Sequence, residues 1–362
     1  MIIQRYLTKE VVTTMAAVIT VLMLAFLSQQ VVRYLNYVAV GKIATSVLLE
    51  LVSFEIPYLL ALLLPLALYL GILLSYGRMY AEQEMAILNM SGFNDRRLLR
   101  LTAMIATGVA LFVLFLMLWV NPWVSLKRQE VMASDEATLH MIETLMPGRF
   151  QVSPDGNHVM YVENLSRDHK RAQNVFIAQQ KADPEQPEQN QWTLIIADQG
   201  YQTKMKHIAE PFFVTVDGYR YEGKPGQNDY KIIKYKTYAI RIPQVDSHII
   251  HPEDESLSVT ALWQDYRNPK HAAALQWRIS VALSALLLAL LAAPLSAVRP
   301  RKSRFFMLLP AILIYIIYIN LLFVARHWVE KGGVTTLGMW WVHALMLAAV
   351  LVLLLIRSRQ WN

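Results

Sequence analysis

The chain of 362 residues contains no cysteine. This absence excludes disulfides, thiolate metal sites and cysteine nucleophiles together, and it leaves the redox compartment open.

The motifs of common catalytic sites are missing as well. Neither Gly41-Lys42 nor Gly223-Lys224 is followed by the Ser or Thr that a nucleotide-binding phosphate loop requires, so the chain is not expected to bind ATP. H-E-x-x-H and G-x-S-x-G do not occur, and among the nine histidines only His248 and His251 are close enough in sequence to suggest a shared metal ion. One such pair is weak support for a metal site. We therefore predict no enzyme activity, no metal and no cofactor, and energy for any work has to come from a partner or an ion gradient.

Charged residues are scarce in six long apolar stretches, and 55% of the chain is hydrophobic. About 20 apolar residues suffice to cross a bilayer as a helix. The composition therefore predicts a polytopic, α-helical membrane protein with six transmembrane helices, at residues 11–27, 47–74, 101–120, 277–298, 305–325 and 337–356.

The first stretch has a cleaved signal peptide as its alternative. No small-residue cleavage pattern follows it, and Arg33 with Tyr34 is typical of an interfacial edge. We expect an uncleaved first span.

The distribution of positive charge predicts the orientation. Alternating segments (the N-terminus, 77–100, 299–304 and the C-terminus) carry 12 Lys and Arg, whereas the two short loops on the other side carry 4. Both termini are therefore expected in the cytoplasm. Within residues 125–270 Asp and Glu outnumber Lys and Arg, 20 to 17, so the basic residues belong to the membrane flanks and no nucleic-acid partner is implied.

A polar turn joins the second and third spans. Met79, Ala86, Met90 and Phe93 recur at helical intervals, which predicts a short cytoplasmic helix at about 79–93 with one apolar stripe, stopped at Ser91-Gly92. Such a helix suits a transporter that takes force from a soluble motor. An ordinary solvated loop is the alternative.

Several polar residues and prolines lie in or near the spans. Arg33 falls at the outer end of the first span, where it either snorkels to the headgroups or binds an anionic lipid headgroup. Glu50 and Glu55 lie near the outer end of the second, where a water-exposed role is favoured over a proton relay. Pro57 and Pro65 are expected to bend this span.

Residues 125–270 contain no stretch long enough to cross a membrane. Short alternating segments rich in β-branched and aromatic residues, separated by turns, predict an all-β sandwich or roll outside the cytoplasm. Residues 126–143 are the exception, because they suit a helix that continues the third span. The predicted strands are 158–165, 174–180, 192–198, 212–223 and 230–242. The domain boundaries are thus 1–124, 125–270 and 271–362.

This order of elements, with MIIQRYL at the start, LPLALYLGILLSYGRMYAEQEMAILNMSG after the second span, and WRIS, APLSAVRPRKSR and MLLPAILIY near the end, resembles a known family. The chain is similar over its whole length to the paired permeases, F and G, of the bacterial lipopolysaccharide-export ABC transporter. The β domain matches by pattern alone.

The resemblance implies a permease of the bacterial inner membrane with a jellyroll-like periplasmic domain. It implies four kinds of partner: a second permease of the same pair, a cytoplasmic ATPase dimer, a single-span bridging protein and lipopolysaccharide. Glu84 occupies the family's coupling-helix carboxylate position, where an ion pair with the ATPase is expected. Arg33 occupies the position facing the lipid phosphates. If the jellyroll forms a lipid groove, inward residues such as Phe212 and Tyr238 would line it.

Two functions follow from these observations. The first is a lipid-extracting permease half, driven by ATP hydrolysis in separate proteins of the complex. The second is a non-transporting membrane scaffold whose β domain binds envelope proteins. Co-purification of an ATPase would separate them.

Overall fold

The computed structural model describes residues 2–39, 45–133, 147–152, 158–166, 171–181, 191–204, 211–224, 230–241, 253–297, 308–333 and 338–359. Three predicted features lie outside these residues: the histidine pair His248 and His251, the basic segment 299–304, and residues 134–143 of the helix proposed at 126–143.

Helices account for both ends of the chain. A 3₁₀ turn (Thr45–Val47) precedes α2, a π-helical turn (Leu116–Val120) joins α4 to α5, and a second 3₁₀ turn (Glu253–Glu255) precedes α6. The helices are α1 Ile2–Ala39, α2 Leu48–Ala81, α3 Glu84–Met90, α4 Asp95–Phe115, α5 Asn121–Ala133, α6 Val259–Gln264, α7 Pro269–Leu295, α8 Leu308–Glu330 and α9 Trp340–Arg359.

Among the described residues, five helical stretches are long and apolar enough to cross a membrane, and they correspond to the first five predicted spans. The sixth predicted span is represented by a shorter apolar stretch of α9, Trp340–Ile356. The predicted multi-pass helical class is confirmed. Helix α5 also continues the third span to Ala133, which agrees with the start of the helix proposed at 126–143.

The chain divides into two compact units. The first comprises 1–30, 53–127 and 252–362, and the second comprises 31–52 and 128–251. The first therefore contains most of the helices, and the second contains the inserted sheet together with the end of α1.

Helices α2 and α7 form the centre of the first unit. In each of them 67% of the most apolar 18-residue stretch is buried, against 6% in α1. Gly71 lets α1 approach α2 closely, because a β-carbon there would lie 3.1 Å from the backbone of Met15. The α1 surface is otherwise largely exposed; among its described residues Leu7, Val11 and Tyr34 are buried.

One end of α7 is fixed by polar contacts. The Gln276 side chain donates to the Tyr266 hydroxyl (2.7 Å) and accepts from the backbone N–H of Met339 (3.0 Å). Arg278 donates to the backbone carbonyls of Asp254 and Glu255 at 3.2 and 3.0 Å. These bonds tie both the segment before α7 and the turn before α9 to α7, and they satisfy polar groups that would otherwise be costly to bury.

The second unit holds one antiparallel sheet in which β1 to β6 are neighbours in chain order. The predicted inserted all-β domain is confirmed, and the strand at 158–165 agrees residue for residue. A jellyroll in the strict sense exchanges strands between two sheets, whereas the described strands follow one another as a meander. They are β1 Phe150–Val152, β2 His158–Leu165, β3 Arg171–Lys181, β4 Gln191–Lys204, β5 Pro211–Gly223 and β6 Lys231–Arg241.

Two local bends interrupt the sheet. Asn174 in β3 and Asp217 in β5 have positive φ, 51° and 52°. Neither residue has a paired residue on the strands beside it. Asp198 on β4, which lies between the two, is likewise unpaired in the strand register. All three side chains are exposed. Asn and Asp tolerate this backbone conformation better than other non-glycine residues, which explains why polar side chains occupy the bends.

The acidic residues of the second span differ from expectation. Glu50 is exposed, as predicted, but Glu55 is 2% exposed and lies buried within the first unit. The prediction that Glu55 reaches water is therefore wrong. Helix periodicity explains the difference, because a residue five positions further along turns to another face.

Candidate functional site

The polar turn between α2 and α4 is helical, but in two pieces. Helix α2 continues to Ala81, the chain turns at Gln83 with a positive φ of 63°, and α3 occupies Glu84–Met90. The predicted stop is confirmed, since Ser91 caps α3 and Gly92 has φ +84°. The separate helix is thus shorter than the 79–93 expected from the sequence.

Burial divides the predicted apolar stripe into two groups. Met79 and Phe93 are buried, 0% and 6% exposed, and with Met85 they anchor the turn in the core of the first unit. Ala86 and Met90 instead lie on the exposed surface, Met90 at 83%. Ile87 joins them at 61%, so α3 presents an exposed face of Ala86, Ile87 and Met90, which we call the α3 apolar face.

A polar network holds α3 and the end of α2 against the start of α1. The Tyr6 hydroxyl donates to the Glu84 carboxylate (Oε2) at 3.0 Å. Arg78 pairs with Glu10 at 3.0 Å and approaches Glu82 at 3.9 Å. Glu84 is half-buried, with its carboxylate engaged inside the chain. Sequence reasoning missed this partner, because Tyr6 is 78 positions away and no local pattern connects the two.

The exit from α3 is also fixed. Asn94 caps α4 by accepting from the backbone N–H of Arg97, and the Arg97 guanidinium donates to the carbonyl of Gly92 at 2.9 Å. Because α3 is held at both ends, a displacement of the helix is expected to move the adjoining ends of α2 and α4 with it.

Arg33 lies near the end of α1, in the second unit. It is half-buried, and its guanidinium carbon lies 5.8 Å from the centre of the buried Tyr34 ring. A cation over an aromatic ring is held in place without losing its hydrogen-bonding edge.

The structure does not bring Phe212 and Tyr238 onto one surface. Residues directly opposite each other on neighbouring strands share a face, and the pairs are Phe213 with Ile240 and Thr215 with Tyr238. Tyr238 therefore lies on the face of the buried Phe213, whereas Phe212 lies on the other.

The surroundings of Tyr238 are mixed. Its ring packs against the apolar core of the sheet and against the Tyr235 ring, 5.4 Å away, and the Arg220 guanidinium lies 5.0 Å from its centre. The buried Thr215 hydroxyl lies 3.0 Å from the Tyr235 hydroxyl. Burial raises the pKa of Tyr235, so this phenol stays protonated over the physiological range.

Long apolar helices, an inserted antiparallel sheet and a short helix exposed between two spans define a multi-pass membrane protein with an inserted β domain. Residues 5–356 match the family described as lipopolysaccharide export system permease LptF/LptG, and the chain belongs to this family. The resemblance found in the sequence is thereby confirmed.

Individual relatives agree. Over 356 residues the chain is 30% identical to the lipopolysaccharide export system permease protein LptF of Escherichia coli strain K12, and the match covers 98% of this chain and 94% of the relative. The protein of the same name from Shigella flexneri matches with the same identity and coverage.

Proposed function

We propose that this protein is the permease half of an ABC transporter that extracts lipopolysaccharide from the outer leaflet of the inner membrane and passes it to a periplasmic bridge. The observation that carries the proposal is the match to the permease family over residues 5–356. Because the sequence has no phosphate loop, we assign ATP hydrolysis to separate proteins of the complex.

The proposed orientation follows from the charge asymmetry. Both termini and α3 lie in the cytoplasm, and the sheet lies in the periplasm. The proposed protein partners are a second permease of the same family, a cytoplasmic ATPase dimer and a single-span bridging protein. The exposed apolar length of α1 supports a lateral partner or lipid along that helix.

We propose α3 as the coupling helix. The α3 apolar face would dock in a groove of the ATPase, while Glu84 would pair with a cation at its edge. The bond from Tyr6 to Glu84 then has a role as well, because it fixes the carboxylate and links α3 to α1 before the ATPase binds. Motion of the ATPase would reach both helices together.

The lipid contact is proposed at Arg33. Replacing Arg33 by Glu should reduce the lipopolysaccharide retained per assembled complex about tenfold or more, since a charge-assisted hydrogen bond contributes about 1.5–3 kcal/mol and the reversal adds repulsion. Arg33→Lys should cause a milder loss, because an ammonium lacks the bidentate geometry. Bound lipid is measured by mass spectrometry at equal assembly.

Lys331→Glu is the matched control, because Lys331 is an exposed cation in the loop after α8. It should leave bound lipid unchanged. If Arg33→Glu also leaves the amount of bound lipid unchanged, Arg33 only snorkels to the headgroups and is not part of the lipid site. The export proposal does not depend on this result.

The β domain is proposed to guide acyl chains over the core face that carries Tyr238. A photoreactive residue at 238 should crosslink to lipopolysaccharide more strongly than one at the exposed position 237, which lies on the face that carries Phe212. Phe212 is proposed as a second contact, and crosslinking at 212 tests whether lipid also passes over the opposite face. Absence of lipid crosslinking at both 238 and 212 would favour the scaffold function.

The proposal as a whole is tested by purifying the chain from its native membrane with its neighbours. We expect a co-purifying ATPase and bound lipopolysaccharide. A complex with envelope proteins but without an ATPase would support the scaffold instead.

A further inference from the structure

An open groove lies between the first turns of α1 and the start of α4. Its volume is about 510 Å³, which is large enough for a lipid headgroup and the beginning of its chains. The groove is lined by Gln4, Arg5, Thr8, Lys9, Val12, Leu101 and Met104. All seven belong to the first unit.

The start of α1 has two faces, one packed against the core and one lining the groove. Leu7 and Val11 are buried in the core, and Glu10 pairs with Arg78. Arg5, which precedes these residues, and Lys9, which lies among them in sequence, line the groove instead. The groove is therefore a second surface, separate from the network that holds Glu84.

The groove is divided by polarity along its length. Arg5 and Lys9, one helical turn apart, are exposed cations, and neither has an ion pair within the part of the chain that the structure describes. One turn further along α1 the wall becomes apolar, with Val12 40% exposed and Met104 63% exposed. Positive charge at one end and uncovered apolar surface at the other match the two halves of an anionic phospholipid.

We propose that this groove binds an anionic phospholipid, of the phosphatidylglycerol or cardiolipin class, from the leaflet on the N-terminal side. Arg5 and Lys9 bind the phosphate, the Thr8 hydroxyl and Gln4 amide contact the polar headgroup, and an acyl chain covers Val12, Leu101 and Met104. Basic pockets between helices at this depth recognise such headgroups. The identification of that leaflet as cytoplasmic rests on the proposed orientation; the binding itself does not depend on the transport function.

The site is tested with the full-length chain in detergent, titrated with phosphatidylglycerol or phosphatidylethanolamine and read by native mass spectrometry. Each cation near a membrane surface contributes about fivefold in affinity for anionic lipid, so Arg5→Gln with Lys9→Gln should weaken phosphatidylglycerol binding about 25-fold. Phosphatidylethanolamine binding should change little. The matched control is Lys270→Gln with Lys331→Gln, which removes two exposed cations elsewhere and should have no effect.

Two further measurements distinguish binding of a lipid from binding of a free anion, and the contribution of charge from that of the groove's shape. Val12→Trp narrows the apolar wall without changing charge and should also weaken phosphatidylglycerol binding, while inorganic phosphate should not displace the lipid. Displacement by phosphate, or no effect of Val12→Trp, would reduce the site to an anion contact and overturn the proposal. An equal loss in the control pair, or unchanged binding in the Arg5 and Lys9 variant, would overturn it too.

Discussion

Replacing Glu84 by Lys is expected to lower the ATP-driven export of the assembled complex at least about tenfold. The change removes the acceptor of the Tyr6 hydroxyl and reverses the charge offered to the proposed ATPase groove. Loss of a hydrogen bond to a charged group costs about 1.5–3 kcal/mol, and each 1.4 kcal/mol is a factor of about ten. Export and ATPase activity are measured at equal assembly.

Glu82→Lys is the matched control, because Glu82 lies at the same turn, is exposed, and only approaches Arg78 at 3.9 Å. It should reduce export at most slightly, as exposed ion pairs contribute about 0–1 kcal/mol. Tyr6→Phe removes the internal bond while keeping the carboxylate, and should have an intermediate effect. Normal export in Glu84→Lys would remove Glu84 from the coupling site.

The second large effect is expected in the β domain at Gly218. A β-carbon there would lie 2.4 Å from the Ile196 carbonyl oxygen and 2.5 Å from the Tyr235 hydroxyl. The carbonyl belongs to the paired strand β4, so Gly218→Ala has to separate β4 and β5. We expect a loss of about 3 kcal/mol, at the upper end of overpacking costs. Thermal unfolding and protease resistance of the β domain in the full-length chain measure it.

Gly200→Ala should cost less, because its β-carbon meets the Phe213 ring, a side chain that can move, and not backbone. Gly108→Ala is the control, since nothing lies within 4 Å of its β-carbon and alanine favours a helix. A stability of Gly218→Ala equal to that of Gly108→Ala would contradict the pairing of β4 with β5 at this position.

The sequence predicted most clearly those features that depend on local pattern. Apolar length located the membrane helices, and alternation located the strands, with the edges of β2 at His158 and Leu165 correct. The stop at Ser91-Gly92 was also correct, because a left-handed glycine ends a helix whatever surrounds it.

The errors occurred where distant parts of the chain meet. Helical spacing predicted that Met79, Ala86, Met90 and Phe93 lie on one stripe. The left-handed turn at Gln83 instead changes the direction of the helix, so Met79 and Phe93 are buried whereas Ala86 and Met90 are exposed. The partnership of Tyr6 with Glu84 has no sequence signal. Similarly, single-strand alternation cannot place Phe212 and Tyr238 on opposite faces, since this requires the register of β5 with β6.

We propose above all that this chain moves lipopolysaccharide by using ATP hydrolysed in separate proteins. The most direct measurement reconstitutes the purified complex in liposomes loaded with lipopolysaccharide and follows transfer of the lipid to the periplasmic bridging protein with and without ATP. The account predicts ATP-dependent transfer that Glu84→Lys abolishes while Glu82→Lys preserves it. Transfer that is independent of ATP, or absent from a complex with an active ATPase, would contradict it.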